Sequence, residues 1–376
     1  MTRTKTRAPT LATALVLAAS PLAAAEYTLP IVQSLTGPAA FVGVPFTEGM
    51  KMALDEANES GGFGEGVTIN YEVEDDGLDR AQTIASVRRH AADPNVVMFA
   101  GPTSGYVGIV AGTVANELQL PLMTVTNAEE ARETGPYTFM TAQTGPQVIP
   151  RVADYAVEKV GVETCQIVGV TDNEAYVTQA ADFIENVTAA GVASLDKIGL
   201  KGDETDFSAI ALRVINEGAD CLFVSAPAAM SANIVTQLKQ NGLSPDTQIF
   251  GMSAFASPEL VRIGGAAVEG VIFIGDWVPG GSNELGKEFV AKFTEMTGNE
   301  PTNWEAMGYS AGLVIADVFS RAGPDITRES IQQAFMETKD VPVVVGDGTF
   351  SYDEERYPVF GINVMTIKDG EFVLAE

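Results

Sequence analysis

Histidine is almost missing from this 376-residue chain: His90 stands alone, and Cys165 and Cys221 are the only cysteines. One imidazole and two distant thiols cannot furnish the nitrogen and sulfur ligands that zinc and its neighbours take, so no metal site is expected. Basic residues are scarce, 22 against 50 acidic ones, giving a formal charge of −28. Such a surface repels nucleic acid and anionic lipid, and neither is expected as a partner. Internal repeats and low-complexity tracts are absent, and no apolar run beyond residue 25 approaches the roughly 20 residues a spanning helix needs.

The first 25 residues carry an address. Arg3, Lys5 and Arg7 precede the apolar run Leu11–Ala19, and Ala23-Ala24-Ala25 offers the small residues a signal peptidase accepts. A cleaved secretory signal over 1–25 is expected, with cleavage after Ala25 and the protein working outside the cytoplasmic membrane. In that oxidising compartment the two cysteines matter. Cys165 and Cys221 each stand near the start of an apolar, strand-like run. Neighbouring parallel strands would let them form a disulfide; two buried free thiols are equally compatible.

Strand-like and helix-like stretches alternate along the rest, which predicts α/β architecture with doubly wound parallel sheets. Strands are expected at Tyr27–Gln33, Val67–Val73, Asn95–Ala100 and Leu120–Val125, with helices between them and Asp79 capping one. The rhythm restarts near Gln147, with strands at Cys165–Val170, Ala193–Leu200, Cys221–Ser225 and Gln248–Met252. Two similar units imply two lobes. Helices follow at Ser282–Thr297, Asn303–Arg321 and Ile331–Glu337, then hairpins from Gly348, with Asp369-Gly370 as a two-residue turn.

Parallel sheets bind ligands at the carboxyl ends of their strands. Six segments there are candidates: Ser34–Phe41, Gly101–Tyr106, Thr124–Ala128, Thr171–Thr178, Ser225–Met230 and Met252–Ser257. Catalytic chemistry is hard to assemble. Gly308-Tyr309-Ser310-Ala311-Gly312 matches G-x-S-x-G, but a nucleophile elbow needs a strand before the serine and a histidine after it. Here the motif sits inside an apolar helical pattern, where small residues permit close helix packing. Glu74-Asp75-Asp76 reads as a solvated strand end, and Gly61–Gly66 as a turn, because it follows a helix and precedes a strand. Binding without catalysis, cofactor or metal is expected. Gly101-Pro102-Thr103-Ser104-Gly105 follows a strand and opens a helix, so N–H groups and two hydroxyls converge on a place for a carboxylate or another oxygen acceptor.

Taken together, Leu35-Thr36-Gly37-Pro38-Ala39, Gly49 to Asn58 with Gly61-Gly62, Glu74-Asp75-Asp76, Gly101-Pro102 and Asp206-Phe207-Ser208 resemble the Leu/Ile/Val-binding protein family. These are the periplasmic substrate-binding components of ABC importers. The resemblance implies a type I periplasmic binding protein fold, two α/β lobes joined by three crossovers. Lobe one is expected at 26–142 plus 276–345, and lobe two at 143–275 plus 346–376. It also implies the partners, a small-molecule ligand and the permease subunits of a transporter, with a monomer as the default. A soluble periplasmic sensor that reports its ligand to a membrane partner is the alternative.

The family's site maps onto Thr103, Ser104, Gly105 and Tyr106 for the carboxylate, with Thr126 and Ala128 adding hydrogen bonds. Tyr176 matches the aromatic that closes from lobe two, and Ala226 lies in a neighbouring loop. Phe41, Tyr176 and Phe255 would wall the site, and Trp277 either joins them or packs in the core at a lobe crossover. Ser253 falls where family members that bind α-amino acids carry an acid for the ammonium, and no acid follows until Glu259. An ammonium buried without a counter-charge is costly. The expected ligand is therefore a small carboxylate, an aromatic acid or an amide-like solute instead of an ordinary α-amino acid.

Overall fold

The computed structural model describes residues 25–278, 280, 283–323 and 325–375, so the expected signal lies outside the described residues up to Ala24. Two sheets organise the chain. The first has the order β2-β1-β3-β4-β5, from β1 (Ala25–Gln33), β2 (Val67–Asp75), β3 (Phe99–Thr103), β4 (Leu122–Val125) and β5 (Thr138–Met140). All its pairs are parallel. The register of β1 on β2 runs unbroken from Ala25 opposite Val67 to Gln33 opposite Asp75, which sets Gln33 and Asp75 side by side at the carboxyl edge.

The second sheet is built on β6 (Thr164–Val170), β7 (Ala193–Ser194), β8 (Ile198–Leu200), β9 (Cys221–Ser225), β10 (Gln248–Phe250) and β11 (Ile272–Gly275). Its order continues through β11 into an antiparallel hairpin, β15 (Asn363–Lys368) and β16 (Glu371–Leu374). Asp369 and Gly370 turn that hairpin with φ of 55° and 79°, as a two-residue turn requires. Three short strands, β12 (Val341–Pro342), β13 (Thr349–Tyr352) and β14 (Pro358–Val359), pair antiparallel beside the first lobe.

The helices are α1 (Ala40–Ser60), α2 (Arg80–Ala91), α3 (Gly105–Glu117), α4 (Glu129–Glu133), α5 (Gly145–Asp154), α6 (Glu174–Ala189), α7 (Ser208–Glu217), α8 (Ala228–Gln240), α9 (Pro258–Gly264), α10 (Glu284–Thr297), α11 (Asn303–Arg321) and α12 (Arg328–Met336). Local chemistry starts them. The Asp79 carboxylate accepts from the Gln82 N–H at the head of α2, and Thr302 with Glu305 forms a capping box on α11. The G-x-S-x-G stretch lies within α11, where Gly308 is pressed on the Phe46 carbonyl of α1. Gly49 of α1 meets the Glu305 carbonyl in the same way. Small residues on both helices thus bring the two backbones together, and the motif serves packing.

Hydrophobic clusters define two lobes, and the chain passes between them three times. Phe139 belongs to the first core and Val148 to the second; Ile274 to the second and Trp277 to the first; Phe360 to the first and Val364 to the second. The last return comes later than the expected residue 346. Phe350, Tyr352 and Phe360 are buried in the first core, and the Tyr352 hydroxyl donates to the Met140 carbonyl at 2.8 Å. The crossings are tied together. Gln143 Nε2 donates to the Gly361 carbonyl at 2.7 Å, and the Gly346 N–H to the Asp276 carbonyl at 2.6 Å.

Several expected elements shift. The strand expected at Asn95–Ala100 becomes Phe99–Thr103, so Gly101-Pro102, joined by a cis bond, ends a strand instead of forming a loop. The strand expected at 193–200 is two pieces, both paired with β6. Cys165 and Cys221 face each other across β6 and β9 and are bonded, with Cα atoms 4.4 Å apart.

Candidate functional site

At the carboxyl edge of the first sheet, carboxylates organise the loops. Asp75 Oδ1 accepts from the Leu35 and Thr36 N–H groups at 2.8 and 3.2 Å, and Oδ2 from the Thr36 hydroxyl at 2.6 Å. Buried Asp76 takes the Ser34 hydroxyl at 2.7 Å and the Thr83 hydroxyl at 3.0 Å. Glu74 accepts from Ser86 and His90, each at 2.9 Å, and pairs with Arg89. Asp75 is exposed, as a solvated strand end would be, but the stretch also binds its neighbours: Asp75 and Asp76 clasp the β1–α1 loop, and Glu74 ties β2 to α2.

The next strand end carries the predicted carboxylate loop. Ser104 has φ 83°, and its N–H donates to the Val125 carbonyl at 2.9 Å, pinning β3 to β4. A Cβ on Gly105 would lie 2.7 Å from that of Ala128 and 3.2 Å from Thr126 Oγ1, so glycine is what lets the two loops meet. Ser104 Oγ accepts from the Tyr106 N–H at 3.3 Å, and Thr126 Oγ1 from the Ala128 N–H at 3.0 Å. Each hydroxyl keeps its own hydrogen to donate. Thr103 departs from expectation: it is buried, and its hydroxyl donates to Gln33 Oε1 at 2.5 Å, so it holds β3 on β1. The Ala128 N–H is likewise already engaged, while the Tyr106 side chain is half-exposed.

In the second lobe Tyr176 stands in the first turn of α6, half-buried, and burial pushes its phenol above the ordinary range. The Ser225 hydroxyl donates to the Tyr176 carbonyl at 2.8 Å, locking α6 to the end of β9. Ala226 is buried with its carbonyl taken by the Ser231 hydroxyl. Ser253 opens a short 3₁₀ turn, Ser253–Phe255, at the end of β10. The aromatic wall loses Phe255, which lies wholly in the second core, packed on Phe273 and against Gly251, while Trp277 takes the core place at the crossover, edge-on to Phe289. Only Phe41 of the lobe-one wall is exposed, and its ring meets Trp304 edge-on with centroids 6.4 Å apart.

Three residues at these edges escaped sequence reading. Trp304 looked like one more apolar position of a helix. The Arg80 guanidinium lies 3.9 Å over the Tyr106 ring, its Nε donates to the Tyr106 carbonyl at 3.0 Å, and it joins none of the ion pairs among the described residues. Asp276, directly after β11, is buried. The rule that selected six strand ends would have reached Arg80 and Asp276 had the ends of β2 and β11 been added.

A family model described as periplasmic binding protein matches residues 26–371. The Leu/Ile/Val-binding protein BraC3 of Rhizobium johnstonii is 26% identical over 341 residues, covering 89% of this chain and 90% of that protein. A Leu/Ile/Val-binding protein homolog 1 of Brucella melitensis is 27% identical over 327 residues, 86% of this chain and 85% of its own. Among solved structures, an ABC transporter substrate-binding protein from Sphaerobacter thermophilus superposes with a TM-score of 0.84 at 20% identity, covering 93% of this chain and 97% of that one. The substrate-binding protein LivJ of Streptococcus pneumoniae, solved with isoleucine, gives 0.78 at 19% identity, with 93% and 100% covered. Two α/β lobes, loops gathered at the carboxyl strand ends and a match over nearly the whole described chain lead to one conclusion: this protein belongs to the periplasmic binding protein family, a family of solute-binding proteins and not of enzymes.

Proposed function

We propose that the protein is the periplasmic receptor of an ABC importer and captures a small organic solute through its carboxylate. The lobe-one edge presents the Ser104 and Thr126 hydroxyls, brought together by the glycine contact at residue 105. That juxtaposition carries the reading: two donors with free hydrogens, beside a helix start, suit a carboxylate. Arg80 adds a positive charge against Tyr106, two residues on from Ser104. Tyr176 closes from the second lobe as the tied crossings bend, and a membrane permease recognises the closed form; closure is favoured because the solute binds that state more tightly. Relatives named for leucine, isoleucine and valine bear on the class of solute. No helix among the described residues is long and apolar enough to cross a membrane, which accords with a receptor that hands its solute on.

Calorimetry tests this against small acids, amides and amino acids. At least one carboxylate is expected to bind, and Ser104→Ala to weaken it about 10- to 100-fold, the loss of one hydrogen bond to a charged group. Failure of every such compound to bind would overturn the reading.

A further inference from the structure

We infer that Glu72, Glu74 and His90 form a divalent-cation site, suited to zinc, which staples helix α2 to the edge strand β2.

Composition argued against a metal, because one imidazole and two distant thiols make no closed set of nitrogen and sulfur ligands. The thiols are indeed spent on a disulfide, but the fold gives the imidazole two carboxylates. Glu72 and Glu74 are two residues apart on β2, so the pleat sends both side chains to one face of the strand. His90 stands in the last turn of α2. One ligand atom from each of the three lies within 4.8 Å of the other two. Zinc holds oxygen and nitrogen at about 2.0–2.2 Å, which spaces the ligands of a tetrahedral ion about 3.4 Å apart. His90 Nε2 and Glu74 Oε1 are already 2.9 Å apart, and the exposed Glu72 side chain is free to close the remaining distance.

Two of the three ligands are fixed beforehand. His90 is 6% exposed, and its ring meets Phe99 at a steep angle with centroids 6.1 Å apart. Ser86, one turn earlier on α2, donates to Glu74 Oε2 at 2.9 Å and so orients that carboxylate. An incoming ion therefore has little to rearrange.

A cation of the protein's own already stands there. Arg89 Nη2 lies 2.6 and 2.5 Å from the two Glu74 oxygens and 3.3 Å from His90 Nε2. One nitrogen thus touches three of the positions that an ion would use. The Arg89 side chain is 59% exposed, so it can turn into water and yield its place. Charge favours the exchange. Glu72 joins none of the ion pairs among the described residues, Arg88 is taken by Glu117, and Asp75 and Asp76 follow directly on the chain. An imidazole with two carboxylates, completed by water, suits zinc, whereas calcium and magnesium favour oxygen ligands throughout. The ion would fix the strand whose next two residues clasp the β1–α1 loop.

The test uses the whole protein with its disulfide intact, carrying no histidine tag and stripped of metal by a chelator. Calorimetry with zinc chloride should show one site of micromolar Kd. A hundredfold excess of zinc over Kd should raise the melting temperature by about 2–4 °C. His90 is the only histidine, so the single imidazole signal in an NMR spectrum must shift on zinc addition. Glu72→Gln should weaken zinc about tenfold or more while leaving the metal-free melting temperature unchanged. Arg89→Ala should tighten zinc about two- to fivefold, by removing the competing cation. Absence of binding at millimolar zinc would overturn the inference. So would binding that leaves the imidazole signal unmoved, binding indifferent to Glu72→Gln, or calcium held as tightly as zinc, each of which would describe an acidic surface and no built site.

Discussion

Asp75 and Thr36 hold each other across the edge of the first sheet: the carboxylate takes both the N–H and the hydroxyl of the threonine. Because the Leu35 and Gly77 N–H groups converge on the same carboxylate, one side chain shapes the loop that leads into α1, whose second residue is Phe41. Partial burial raises the Asp75 carboxyl, but the Thr36 hydroxyl and the Gly77, Leu35 and Thr36 N–H groups outweigh it and hold the group below its ordinary value. A depressed carboxyl stabilises the fold above its unfolded value and loses that contribution as pH falls through the folded one. Asp75→Asn is therefore expected to cost about 1 kcal/mol at neutral pH and to flatten the fall in stability below about pH 4. Urea melts at pH 7 and pH 3.5 check it; an equal loss at both would contradict the linkage.

The bond between Cys165 and Cys221 closes a loop with a sequence separation of 56. Constraining the unfolded chain over such a loop is worth about 2–4 kcal/mol. Reduction, or the double change Cys165→Ala and Cys221→Ala, should lower the melting temperature by several degrees while leaving ligand affinity nearly unchanged. Melting with and without reductant measures it.

Gly308 rests against the Phe46 carbonyl and Gly312 against Ala53. A methyl group at 308 has only backbone to displace, so Gly308→Ala should destabilise by about 3 kcal/mol by prying α11 from α1. Chemical denaturation reads this; a neutral substitution would show that the two helices have room to part.

Arg80→Gln removes a cation that no carboxylate of the protein neutralises among the described ion pairs. Capture of an acid is expected to weaken roughly five- to tenfold, and less at high salt, because exposed charges are screened. The melting temperature of the ligand-free protein should barely move. Calorimetry at two ionic strengths distinguishes this from a salt-independent effect, which would place Arg80 outside the binding process.

Much of this molecule could be read before any coordinates. Alternation of strands and helices, the Asp79 cap, the helix over 303–321 and the Asp369-Gly370 turn are local matters, set by side-chain periodicity and by hydrogen bonds between near neighbours. The loops rich in small and hydroxyl residues announced a binding edge for the same reason: backbone access is a property of the residues themselves. Tertiary structure alone decided who spends those groups and who keeps them. Thr103 gives its hydroxyl to Gln33, 70 residues earlier, whereas Ser104 keeps its hydrogen. Phe255 turns into a core while Trp304 turns toward Phe41. Asp276 reads as one acid among fifty until the fold buries it and sets Asn303 beside it, its one side-chain hydrogen-bond partner among the described residues. Charge balance and solvation depend on everything that surrounds a group, and those surroundings exist only once the chain is folded.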